Sequence, residues 1–132
     1  MSRLTAGIVV AAFFVAGCGG SKSPEQVVRA WSKALNSGSN EGAADLFAAN
    51  AKFVAGDYIR LLHTHEQAVA FNAELVWCGP IVRLAAHGAD VTARFALVTQ
   101  ATGRCDSTGG ERASVFFRVR DGKIVLFDQI GA

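Results

Sequence analysis

The fold class is decided by the stretch Ala113-Ser114-Val115-Phe116-Phe117-Arg118-Val119-Arg120-Asp121-Gly122-Lys123-Ile124. Small or apolar side chains at the odd positions from 113 to 119 alternate with serine, phenylalanine and arginine at the even positions. This period of two is typical of a strand that buries one face. Asp121-Gly122 is a preferred dipeptide of the type I′ turn, in which both central residues have positive φ. The stretch therefore predicts an antiparallel hairpin that continues to Ile130.

Two more strands are predicted immediately upstream of this hairpin. Ile81 to His87 and Val91 to Thr99 both have strand character, and Gly88-Ala89-Asp90 joins them. A polar, glycine-rich loop from Thr102 to Glu111, which contains Cys105, separates them from the hairpin. The second half of the chain is therefore predicted to be an antiparallel meander.

The first half of the chain has helical periodicity instead. Ser23 is the predicted N-cap of the first helix, Pro24 its first residue and Gln26 the reciprocal partner in a capping box. The helix is predicted to end at Gly38, because glycine readily adopts the left-handed conformation of a C-cap.

Two further helices are predicted before the strands. The second runs from Asn40 to near Asn50 and is followed by an extended segment at 51–54. The third begins at Thr64, with a capping box through Gln67. Helices followed by a run of antiparallel strands indicate an α+β fold.

The N-terminus resembles the export signal of a bacterial lipoprotein. One basic residue, Arg3, precedes an apolar run that begins at Leu4 and closes on Val15-Ala16-Gly17-Cys18. The run has roughly 13 apolar or small positions, fewer than the ~20 that a membrane-spanning helix needs. We therefore expect cleavage after Gly17 and acyl chains, palmitate among them, on Cys18. The alternative is a buried apolar segment of a cytosolic protein.

This boundary predicts the organisation of the whole chain. We expect a lipoprotein signal peptide at 1–17, a lipidated linker at 18–23 and a single domain at 24–132. The linker is short, so the domain lies close to its membrane. The predicted location is the cell membrane or the outer membrane, with the protein lipid-anchored on the extracytoplasmic face.

Cysteine and charge content limit the function classes. If Cys18 is acylated, Cys78 and Cys105 remain as a pair, and a disulfide is the default in an oxidising compartment. The alternative is two free, buried thiols. Thirteen basic and eleven acidic residues give a net charge of +2 without any basic run, which argues against nucleic acid as a partner.

The order of these elements resembles the nuclear transport factor 2-like superfamily, which includes ketosteroid isomerase and the polyketide cyclase SnoaL. The resemblance rests on the end of the first helix at 28–38, on Ala44-Asp45-Leu46-Phe47-Ala48 and on the closing hairpin at 116–124. It implies a cone-shaped α+β barrel, in which three helices from the N-terminal half pack on a strongly bent antiparallel sheet around an apolar pocket. It also implies a possible homodimer.

The same resemblance aligns the catalytic groups of ketosteroid isomerase with residues that lack their chemistry. Trp31 stands at the tyrosine of the oxyanion hole, Ala55 at the aspartate base and Val115 at the protonated aspartate. Because alanine cannot accept a proton, isomerase activity is not expected.

Histidines offer the weak candidates for catalysis. His63-Thr64-His65 would place both imidazoles on one face of a strand, with His87 as a third metal ligand. The competing interpretation, that Thr64 caps a helix, is favoured, so no metal and no cofactor are predicted. A general-base role for His63 or His65 against Asp128 remains an alternative.

The sequence thus predicts a noncatalytic binding domain for a small apolar molecule or an envelope protein. Candidates for the pocket lining are Trp31, Tyr58, Phe71, Phe117 and Gln129. The alternative function is a cone-fold hydrolase, dehydratase or isomerase that uses a His/Asp pair.

Overall fold

A computed structural model describes residues 22–100, 105–107 and 110–131. The three helices are α1 (Pro24–Asn36), α2 (Asn40–Ala44) and α3 (His65–Glu74). The seven strands are β1 (Phe47–Ala55), β2 (Tyr58–Leu62), β3 (Trp77–Cys78), β4 (Ile81–His87), β5 (Asp90–Thr99), β6 (Glu111–Arg120) and β7 (Lys123–Gly131). The predicted signal peptide, Cys18 and parts of the loop at 102–111 lie outside the described residues. No described helix has the length and apolar character required to cross a membrane.

The strands form one strongly curled sheet in the order β2-β1-β7-β6-β5-β3, with β4 also paired to β5. The predicted α+β fold with three helices on a bent sheet is confirmed. The sheet is mixed, however, because β1 runs parallel to β7 while the other pairs are antiparallel. Sequence periodicity gives strands but not their partners, so this parallel pair was not predicted.

Local signals in the sequence act as predicted at both ends of the domain. The Ser23 side chain accepts a hydrogen bond from the Gln26 backbone and the Gln26 side chain accepts one from the Ser23 backbone. Gly38 ends the first helical segment with φ +81°. Asp121 and Gly122 have φ values of 52° and 74°, as a type I′ turn requires.

The second helix is shorter than predicted. It ends at Ala44, and β1 begins at Phe47, within the segment that the sequence analysis assigned to the helix. Phe47 pairs with Ile124 of β7, and the Ile124 amide donates a hydrogen bond to the Leu46 carbonyl. Pairing with a strand that lies far away in sequence therefore overrides the local helical pattern.

The strands β2 and β3 were not predicted at all. Gly56 and Asp57 form a tight turn, with φ +58° at Gly56, and Tyr58 opens β2 instead of lying in a loop. The residues of β2 do not alternate cleanly, since Tyr58, Ile59 and Leu61 are all exposed on this edge strand. The two residues of β3 are too few to give a pattern.

Trp31 lies at the centre of the core. The side chain is fully buried, and its ring meets those of Trp77, Phe95, Phe117 and Phe127 at centroid distances between 5.2 and 6.4 Å. Most of these ring pairs are T-shaped, a favourable arrangement that adds to the burial of apolar surface. One residue of α1 thus packs against four strands of the sheet.

The indole of Trp31 is also hydrogen-bonded. Its Nε1 donates to Oδ1 of Asn72 at 2.8 Å, and Asn72 Nδ2 donates to the Ala68 carbonyl at 2.8 Å. Asn72 is fully buried, so both ends of its amide find partners inside the core. This contact fixes α3 against α1.

The predicted disulfide between Cys78 and Cys105 is confirmed, with the two α-carbons 5.1 Å apart. The next residue, Gly79, is held by the Asn36 side chain, whose Nδ2 donates to the Gly79 carbonyl while its Oδ1 accepts from the Gly79 amide. The amide side chain therefore pairs with this backbone as a neighbouring strand would. Together, the disulfide and Asn36 attach the segment between β3 and β4 to the rest of the domain.

Candidate functional site

An open cavity of about 310 Å³ lies at one end of the curled sheet. It is lined by residues from the β1–β2 turn, from β3 and from the adjoining parts of β6 and β7. These are Ala55, Gly56, Trp77, Ala113, Ser114, Val115, Gln129 and Gly131. The volume is at the lower end of the range typical of small-molecule sites.

One wall of the cavity is a row of three residues across the sheet. Gln129 of β7 pairs with Ala55 of β1 on one side and with Val115 of β6 on the other. Ala55 and Val115 are the positions that the family resemblance aligns with the two acidic groups of ketosteroid isomerase. The structure thus places them in one row, with the amide of Gln129 between two side chains that carry only carbon.

Trp77 forms the boundary between the cavity and the core. Its ring lies 6.4 Å from that of Trp31 and 6.2 Å from that of Phe95, while Trp77 itself is partly exposed. One side of the indole therefore packs on the core and another borders the cavity. The interior behind it is filled by aromatic rings, which limits the cavity to the end of the cone.

The predicted pocket residues occupy three different environments. Gln129 lines the cavity. Trp31, Phe71 and Phe117 do not, because their rings pack against one another or against Phe127 in the buried core. Tyr58 is 57% exposed on β2. The prediction of these four residues as pocket lining is therefore corrected: an apolar stripe identifies buried residues but does not separate core from cavity wall.

The described lining of the cavity contains no ionisable side chain. The lining residues with polar side-chain groups are Gln129, Ser114 and Trp77, whose indole carries one N–H donor. An amide and a hydroxyl can donate and accept hydrogen bonds, but neither serves as a general base near neutral pH. The arrangement can bind and orient a neutral, mainly apolar molecule.

The histidine candidates lie on the surface near the helices. Thr64 caps α3, with its hydroxyl accepting from the Gln67 amide, while the Gln67 side chain accepts from the His63 amide. The His63 ring is hydrogen-bonded to Asn50 at 2.7 Å and that of His65 to Asp45 at 2.7 Å. The helix-capping interpretation of His63-Thr64-His65 is therefore correct.

The structure does not bring the candidate His/Asp pair together. Asp128 follows Phe127, which is fully buried, and strand alternation therefore directs Asp128 to the outer face of the sheet. His65 lies at the start of α3, and His87 is exposed at the end of β4. Asp128 and His65 make no contact.

One group of side chains has the composition of a metal site. Donor atoms of Glu41, Asp45 and His65 lie within 4.8 Å of one another, and all three residues are exposed. His65 Nε2 is 2.7 Å from Asp45 Oδ1 and 3.6 Å from Glu41 Oε2. A direct hydrogen bond from imidazole to carboxylate accounts for this grouping, and surface carboxylates of this kind occur without a metal.

Comparison with models of known protein families identifies the family of this chain. The model of the SnoaL-like domain matches residues 28–127. The chain belongs to the SnoaL-like domain family. This SnoaL-like match begins within α1 and ends within β7, and the predicted superfamily is confirmed. No curated protein sequence matches the chain significantly.

Several solved structures share this fold. A nuclear transport factor 2-like protein of unknown function from Cytophaga hutchinsonii has a TM-score of 0.66 and 14% identity, over 83% of this chain and 90% of that one. A candidate ketosteroid isomerase from Kribbella flavida has a TM-score of 0.65 and 20% identity, over 83% and 77%. A candidate polyketide cyclase from Sinorhizobium meliloti has a TM-score of 0.60 and 13% identity, over 78% and 92%. At these identities the likeness establishes the fold of this SnoaL-like domain and nothing further.

Several cavity residues were missed by the sequence analysis. Trp77, Ala113 and Gly131 line the cavity but are not among the five candidates that the sequence analysis names. A large aromatic residue just before a cysteine and a glycine, outside any periodic segment, is the one signal that distinguishes Trp77. Ala113 and Gly131 leave space because they are small, which no pattern of hydrophobicity reveals.

Proposed function

We propose that this protein is a lipid-anchored extracytoplasmic protein whose SnoaL-like domain binds a small, neutral and mainly apolar molecule without turning it over. The observation that carries the proposal is the cavity at the end of the cone, with Trp77 on one side and the row Ala55–Gln129–Val115 on another. The aromatic face and aliphatic groups favour apolar contact, and Gln129 supplies a hydrogen bond that orients the ligand.

The absence of proton-transfer groups among the described lining residues supports binding over catalysis. Acid–base chemistry needs a group of suitable pKa within hydrogen-bond distance of the reacting proton. The histidines and Asp128, which the alternative hydrolase, dehydratase or isomerase would need, are engaged elsewhere or lie on another face. A ligand with a full negative charge would also be disfavoured, because the described lining has no cation.

The ligand test begins with the natively purified full chain. Mass spectrometry of an organic extract should detect a neutral apolar compound at a stoichiometric amount. Adding that compound back should raise the melting temperature and change the tryptophan emission, because Trp77 borders the cavity. Neutral aromatic compounds serve as probes if the extract is empty.

Filling the cavity is the specific prediction. Ala113→Leu places a larger aliphatic side chain at the lining and should weaken binding at least about tenfold, since a volume change of a few carbons disturbs a close-packed site. Ala70→Leu is the matched control, because Ala70 is exposed on α3. Isothermal titration of both variants gives the affinities.

Two outcomes of these measurements would contradict the binding proposal. Equal affinity in Ala113→Leu and the wild type would place the ligand elsewhere, and conversion of the compound into a product would favour the enzyme. In Trp77→Phe the emission change should disappear while the melting shift largely remains, because phenylalanine keeps much of the packing.

The anchoring prediction concerns Cys18 and rests on the boundary Val15-Ala16-Gly17-Cys18. Cys18→Ala removes the thiol that would be acylated, so lipid attachment should be lost entirely and an unprocessed precursor should accumulate. Membrane fractionation and intact-mass measurement report both effects. Retention of a processed, acylated product by this variant would contradict the prediction.

A further inference from the structure

Two arginines face each other on the outer side of the sheet. Arg83 of β4 pairs in register with Arg94 of β5, and Arg94 pairs with Ser114 of β6. These three residues therefore form one row across three strands. The next row along β5 contains Thr92, whose partner on β4 is Ala85.

The side chains of this row point away from the core. The residues on either side of Arg94, which are Ala93 and Phe95, are buried. Leu84, the neighbour of Arg83, packs against the core from β4. Since successive side chains of a strand point to opposite faces, Arg83 and Arg94 project outward together.

The two arginines share a concavity of about 170 Å³. Its lining consists of Arg83, Ala85, Thr92, Arg94 and Ser114. Ala85, the partner of Thr92 on the neighbouring strand, contributes only a methyl group to this lining. The lining therefore offers two guanidinium groups and two hydroxyls around one space.

This concavity has no counter-charge of its own. Within the described part of the chain, neither Arg83 nor Arg94 has an ion pair or a side-chain hydrogen bond. The acidic residue at the start of β5, Asp90, is bonded to Arg118 at 2.9 Å. That hydrogen bond lowers the pKa of the Asp90 carboxyl and raises the pKa of Arg118, so this carboxylate is ionised and already engaged.

Like charges directly opposite each other on neighbouring strands destabilise a sheet. An anion between the two guanidinium groups removes this repulsion and adds charge-assisted hydrogen bonds. A guanidinium group donates in a planar fork that matches two oxygens of a phosphate, and the hydroxyls of Thr92 and Ser114 can donate to the remaining oxygens.

We propose that the concavity formed by Arg83, Arg94, Thr92 and Ser114 is a binding site for a phosphate-type oxyanion. The site lies on the outer face of the sheet. It shares Ser114 with the lining of the ligand cavity, but neither arginine lines that cavity, and the site does not depend on the function proposed there. The phosphate group belongs either to a soluble phosphate ester or to the headgroup of an anionic phospholipid. Both sources present the same chemistry to the arginine pair.

Inorganic phosphate is the first probe. With the full chain at constant ionic strength, phosphate should raise the melting temperature of the wild type more than that of Arg83→Gln or Arg94→Gln, because an ion held between the arginines adds to the general stabilisation that phosphate gives by exclusion from protein surfaces. Arg83→Gln and Arg94→Gln should each weaken phosphate binding about tenfold, as expected for loss of a charge-assisted contact. Arg29→Gln, on the surface of α1, is the control and should keep the wild-type response.

Vesicles separate the two sources of phosphate. Sedimentation with phosphatidylglycerol vesicles is compared with sedimentation on phosphatidylcholine vesicles, so that the lipid anchor contributes equally to both. An excess on phosphatidylglycerol that Arg83→Gln and Arg94→Gln abolish identifies the headgroup, whereas phosphate binding without such an excess identifies a soluble ester.

Two results would overturn the site. The first is a phosphate effect no larger than that of chloride at equal ionic strength, which would reflect general screening. The second is a phosphate response in Arg83→Gln and Arg94→Gln that equals the responses of the wild type and of Arg29→Gln. Because each glutamine variant removes one of two repelling charges, its stability without phosphate should not fall, and misfolding does not explain a lost response.

Discussion

Trp31→Ala should destabilise the domain by about 3 to 5 kcal/mol, as removal of a core tryptophan generally does. The indole is fully buried and contacts aromatic rings from β3, β5, β6 and β7. Its loss also leaves Oδ1 of the buried Asn72 without its donor. Since a domain of this size is stable by roughly 5 to 15 kcal/mol, much of its stability depends on this residue.

Urea unfolding monitored by circular dichroism measures the loss of stability as a lower urea concentration at the midpoint of the transition. Trp31→Phe keeps an aromatic ring in the cluster and should cost less than Trp31→Ala. Combining Trp31→Phe with Asn72→Leu tests the hydrogen bond: the double variant should be less destabilised than the sum of the single variants, because neither polar partner is then left alone. Unchanged midpoints for Trp31→Ala would contradict the central position of this side chain.

Loss of the disulfide should cost about 2 to 5 kcal/mol, the range typical of small exported domains. The bond between Cys78 and Cys105 spans 27 residues. Cross-linking such a loop lowers the conformational entropy of the unfolded chain. In the chain-entropy model of disulfides, this effect stabilises the folded state by about 3 kcal/mol. The double variant with alanine at both positions should therefore melt at a lower temperature than the oxidised wild type.

Reductant provides the control for this prediction. Dithiothreitol should lower the melting temperature of the wild type and leave that of the double alanine variant unchanged. A nonreducing peptide map that shows both thiols free in the purified protein would contradict the bond itself.

The elements that could be predicted from the sequence are those determined by residues close together in the chain. The hairpin around Asp121-Gly122, the capped start at Ser23 and the end at Gly38 each depend on residues within a few positions of one another. The parallel pairing of β1 with β7 depends on residues about 75 positions apart, and no local pattern encodes it. For the same reason the local pattern predicts helix at Phe47, where β1 begins.

The candidate site was less predictable than the fold. Ala55 and Val115 were recognised as positions without catalytic groups, and Gln129 was placed at the pocket. The prediction that Trp31 lines the pocket was wrong. Residues of a helix give the same apolar pattern whether they are buried in the core or line a cavity. The arginine pair depends on the register of β4 with β5, and a shift of one residue would have separated Arg83 from Arg94.

The position of β7 has a consequence for the order in which the molecule forms. This strand lies between β1 and β6, yet it is the last strand of the domain to be synthesised. Until it emerges, two inner strands keep unpaired edges, and the N-terminal and C-terminal parts of the sheet remain two separate pieces. The sheet can therefore be completed only after the end of the domain has been synthesised. Until then the nascent chain cannot form the closed core of the folded domain. It also means that a late stop codon removes the strand that joins the two halves.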